Sequence, residues 1–88
     1  MSSAVPVGVV AASSAASAMH AVAGAVRVTV ARDVFAALLE RATGPVVRVR
    51  GLLGTTWWLI HGGFAFHTSG GGLEVPSRLE VIDAKHAW

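Results

Sequence analysis

The chain reads as an α+β domain: a small antiparallel or mixed sheet of about five strands, one amphipathic helix over residues 32–43, and an Ala-rich helical segment ahead of them. Three observations lead there. Val26-Arg27-Val28-Thr29-Val30 alternates with the period of a strand. From Arg32 the period changes, and Val34, Phe35, Leu38, Leu39 and Ala42 fall on one helical stripe with Arg32, Asp33, Glu40 and Arg41 mainly elsewhere. Then Thr56 to His67 is a β-rich run split by Gly62-Gly63, a dipeptide suited to the positive φ angles of a two-residue hairpin loop.

Taken in order, the first 26 residues carry no charged side chain and consist mainly of Ala, Ser, Val and Gly. Val5-Pro6-Val7-Gly8-Val9-Val10 suits an extended stretch, because β-branched residues favour strands and Pro is tolerated near a strand start. Ala11 to Ala25 favours helix, with Ser13 or Ser14 as N-cap. The strand from Val26 and the helix over 32–43 follow, the latter stopped by Gly44-Pro45. Pro45 to Arg50 reads as a strand with Val47 and Val49 on one face and Val46, Arg48 and Arg50 on the other. Gly51 to Gly54 turns the chain into the hairpin, and Ser69-Gly70-Gly71-Gly72 turns it out. Leu73-Glu74-Val75 and Leu79-Glu80-Val81-Ile82 are two further short strands, separated by Pro76-Ser77. The division expected is a segment 1–25 that lies on the domain or on a partner, and a domain 26–88.

The hairpin sets the functional expectation. With Gly62-Gly63 as its loop, His61 pairs with Phe64, Leu59 with Phe66 and Trp57 with Thr68, all on one face. Trp58, Ile60, Ala65 and His67 take the other. Both faces are apolar, so both need cover, and one amphipathic helix covers only one. The N-terminal segment or a second copy of the protein has to cover the other. Composition agrees: 53% of the 88 residues are hydrophobic and 14% charged, against about 25% charged in an average soluble domain. A chain this short is also marginal for burying a core alone.

The reading that follows is a non-enzymatic small interaction or structural subunit that self-associates or docks into a larger assembly through an apolar sheet face. Val46, Trp58, Ile60 and Trp88 are the candidate contact residues, and the expected location is the cytoplasm. Two alternatives stay open. The uncharged run 4–26 is long enough for a membrane anchor of an accessory protein, although Ala, Ser and Gly gain little in hydrocarbon and His20 is costly there. Arg48 and Arg50 beside Trp57 resemble in kind the basic, stacking surface that single-stranded nucleic acids prefer, although a net charge of +2 steers weakly.

Catalysis finds no support in the sequence. There is no Cys, hence no disulfide or thiolate chemistry. No nucleophile elbow or paired carboxylates stand out, and the glycine clusters lie between strands instead of ahead of a helix N-terminus. His61 and His67 fall on opposite hairpin faces and so do not share an ion. No cofactor or metal is expected.

Overall fold

The computed structural model describes residues 7–84, with side chains from residue 15 onward. Its elements are α1 (Val7–Gly24), β1 (Val26–Thr29), α2 (Arg32–Arg41), β2 (Val46–Gly51), β3 (Gly54–His61), β4 (Phe64–Ser69) and β5 (Val81–Ala84). The five strands form one mixed sheet in the order β1-β4-β3-β2-β5. β3 runs antiparallel to both neighbours, whereas β1 pairs parallel with β4 and β5 parallel with β2. This is the α+β class and the strand number that the sequence predicts.

The hairpin register is the one that the Gly62-Gly63 loop dictates: His61 lies opposite Phe64, Leu59 opposite Phe66 and Trp57 opposite Thr68. Both glycines have positive φ, 61° and 84°. A mirror-image hairpin turn needs that conformation, because its twist matches that of the strands it joins.

Each face of the sheet has its own apolar cluster. On one side Phe35, Leu39 and Ala42, from α2 and the residue after it, close over Val46, Trp57 and Leu59. On the other, Met19 and Val22 of α1 close over Val47, Val49, Trp58 and Ala65. The two-faced hairpin is therefore covered twice within one chain. The parity of the strands places Trp57 and Leu59 under α2 and Trp58 under α1, so burial of all three follows from having two helices on opposite sides.

Five local expectations change. Val7 to Val10 belong to α1 and are not extended; Val costs a helix only about 0.5 kcal/mol relative to Ala, and adding residues to a helix already nucleated is easy. Ser13 and Ser14 lie inside that helix and are not its N-cap, while Val5 and Pro6 lie outside the described residues. The second helix ends at Arg41, and Ala42 turns extended at φ −71°, ψ 150°, carrying its methyl into the core at 1% exposure.

Leu73-Glu74-Val75 forms no strand. The outer side of β4 is already taken by β1 and that of β2 by β5, so the segment crosses the α2 side of the sheet, where Leu73 and Val75 join the apolar cluster. The last strand begins at Val81, two residues later than Leu79. Leu79 closes a turn through its amide to Pro76 O at 3.0 Å and is buried beside α2 instead. The same connection carries Arg78 to the end of α2, where its guanidinium donates to the carbonyls of Leu39, Glu40 and Ala42. The last carbonyls of a helix lack their usual amide partners, Leu39 O keeping only the Ala42 amide at 3.3 Å, and a cation there complements the helix dipole.

Candidate interaction site

The residues marked by the sequence divide according to how far they lie from the helices. Val46 is fully buried and Trp58 is 8% exposed. Both belong to the protein's own core, so neither is free to contact a partner in this fold. Ile60, one turn of the pleat beyond Trp58, is 36% exposed. Trp88 lies outside the described residues.

Beyond the reach of the helices, the Gly62-Gly63 end of the sheet is open and apolar. Val26, at the start of the edge strand β1, is 64% exposed and sits beside Phe64, which is 43% exposed. Paired residues point to the same face, so Val26, Val28, Phe64 and Phe66 form one surface on the α2 side. The two phenyl rings are 5.9 Å apart and tilted. The α1 side of the same two strands carries Arg27, Thr29 and His67 around the buried Ala65. His67 stacks on Trp58 with ring centroids 4.3 Å apart, and its Nε2 is hydrogen-bonded to Thr29 Oγ1 at 2.7 Å. Partial burial, with the Arg27 charge as a lesser cause, holds the imidazole below its ordinary pKa.

Arg48, Arg50 and Trp57 do share a face, as strand alternation requires. They do not make a stacking platform. Trp57 is 4% exposed, and its indole N–H donates to Gly70 O at 2.9 Å. Arg48 lies 5.6 Å from the Trp57 ring centroid and is held in a bidentate pair by Asp83, with Nε to Oδ1 at 2.6 Å and Nη2 to Oδ2 at 2.8 Å. That hydrogen-bonded pair raises the Arg48 pKa and lowers that of Asp83. Arg50 adds a weaker electrostatic pull on Asp83, while the hydrogen-bonded pair is with Arg48.

The structure also exposes a pair of residues that the sequence reading passed over as turn. Leu52 and Leu53, between β2 and β3, are wholly exposed at 107% and 104%. The signal was available in the sequence, since turn positions ordinarily carry Gly, Pro, Asn, Asp or Ser.

His61 and His67 lie on opposite faces of the hairpin, as its register predicts. Among the described residues no three metal-ligating side chains come together, and no helix is long and apolar enough to cross a membrane. Comparison with protein-family models, with curated proteins and with solved structures found no match. The open β1–β4 corner and the leucine turn therefore stand on their own chemistry.

Proposed function

We propose that this protein is a non-enzymatic interaction subunit that self-associates along the edge strand β1, with residence in the cytoplasm as part of the same reading. The observation that supports it is the coincidence, at one corner, of an open strand edge and an exposed apolar surface. Among the described residues no strand pairs with the outer side of β1. Such an edge offers a row of backbone donors and acceptors to another strand, and here Val26 and Phe64 continue the apolar surface up to it.

A second copy fits that edge by parity. Antiparallel pairing about a two-fold axis centred on Val28 sets Val28 against its own counterpart, Val26 against Val30, and Arg27 against Thr29. Every valine then stays on the α2 side and every polar residue on the α1 side. Centring the axis on Arg27 would place the two arginines opposite one another, which is unfavourable. The contact joins two five-stranded sheets into one continuous sheet. It also replaces the sheet-face contact that the sequence suggested, because α1 and α2 already occupy those faces.

Light scattering on the purified chain tests this reading. A dimer is expected at micromolar concentration, and Val26→Lys, at a solvent-exposed position, is expected to yield a folded monomer. A wild-type chain that remains monomeric overturns the proposal, as does a Val26→Lys variant that dimerises as before.

A further inference from the structure

We infer that the Leu52–Leu53 turn is a membrane-contacting tip whose partner is an anionic lipid surface. Two adjacent leucines at the outermost point of a hairpin, both wholly exposed, are unfavourable in water unless something apolar receives them. The turn does not need them. Neither residue has a positive φ, and the unusual backbone conformation falls on Gly54 at φ 124°. Gly51 and Gly54 pair across the turn and close it. Small polar residues would fit the same backbone, so the leucines serve what they touch and not the fold.

Shape and charge select the partner. Behind the tip lies an open groove bordered by Val49, Thr55, Ser69 and Gly70 together with the two leucines themselves, and no large side chain of another segment lines it. A protruding pair of this kind presents little flat area to a protein but fits between lipid headgroups as a wedge. Arg50 precedes the turn on β2 and is exposed. At about 3.3 Å per residue it stands roughly 7 Å behind Leu52, the depth of the phosphates when the leucines reach the acyl boundary, which lies about 5–10 Å in. Arg48 follows on the same face, and Arg32 reaches the adjacent glycine loop, donating to Gly71 O at 2.8 Å. Arg48 is neutralised in its pair with Asp83, so the positive excess behind the apolar point comes from Arg50 and Arg32 alone. An uncharged protein pocket would make no use of that excess, whereas lipid phosphates would.

This tip lies at the opposite end of the sheet from the Val26–Phe64 corner, so the two proposals fail separately. The absence of Cys in the sequence makes a direct test simple. Leu53→Cys carrying an environment-sensitive fluorophore is mixed with phosphatidylcholine vesicles, with and without phosphatidylserine. A blue shift with phosphatidylserine vesicles is expected, weakening as salt is raised, with no shift for the same label at Thr43→Cys on the far end of the sheet. Co-sedimentation of the unlabelled chain with phosphatidylserine vesicles is expected to fall at least tenfold in Leu52→Ser/Leu53→Asn and several-fold in Arg50→Gln. The inference is overturned if the tip label stays in a water-like environment, or if the double variant sediments as the wild type does, which would assign the binding to another segment. Loss of sedimentation accompanied by unchanged dimerisation leaves the β1 reading standing.

Discussion

The two turns that flank β3 close two-residue hairpins with opposite chemistry. At the β3–β4 turn the backbone decides the residues: Gly62 and Gly63 both have positive φ, and the register of the whole hairpin follows from them. At the β2–β3 turn the backbone leaves the choice open, and two fully exposed leucines occupy positions that any small polar residue would fill. Glycine is there for folding, and leucine for something outside the fold. The lesson is that an unusual turn residue is informative only after the conformational demand at its position is known.

The sharpest way to break this contrast is to put side chains where the backbone refuses them. Gly62→Ala together with Gly63→Ala forces two L-residues into left-handed conformation at about 1–2 kcal/mol each. Urea unfolding is expected to show a loss of about 2–4 kcal/mol, and a loss near zero would mean that the register rests on the two apolar faces alone. Arg78→Ala provides a control remote from both turns. It leaves three carbonyls at the end of α2 without their cation, and about 1–2 kcal/mol of stability should go with it.

A smaller effect is expected from pH. His67 has a native pKa below the ordinary value of about 6.5, so the unfolded chain takes the proton first as pH falls. The contribution is whole above that ordinary value and is lost as the pH drops through the native one. Stability measured downward from pH 7 should therefore decline before the carboxylates titrate, and His67→Gln should remove that part of the slope. The Asp83 carboxylate, held low by Arg48, acts in a separate and more acidic window, where its contribution disappears as it protonates. Smallest of all is Leu52→Ser/Leu53→Asn, which is expected to leave unfolding free energy within about 0.5 kcal/mol of wild type. A large loss there would mean that the leucines do hold the turn, and the contrast between the two turns would vanish.

How far the site was legible depended on distance along the chain. The hairpin faces and the separation of the two histidines are consequences of spacing between near neighbours and are found as the sequence predicts, whereas the helix stripe holds for Phe35, Leu38 and Leu39 but leaves Val34 46% exposed. Leu73, Val75 and Leu79 mislead because alternation of apolar residues looks the same whether a segment joins a ladder or lies across a sheet. Val46 and Trp58 mislead for a related reason: an apolar side chain needs cover, and spacing does not say who supplies it.

The sequence by itself determined the second helix, the first four strands, a sheet of about five strands and the existence of two apolar faces, since periodicity and turn chemistry are local properties of the chain. Tertiary structure alone decided that α1 and α2 of one chain cover those faces, that Arg78 ends a helix 36 to 39 residues away, and that Val26, Phe64, Leu52 and Leu53 are among the apolar residues left uncovered. Burial is a property of the assembled layers, and a residue is exposed or hidden only once every segment has taken its place.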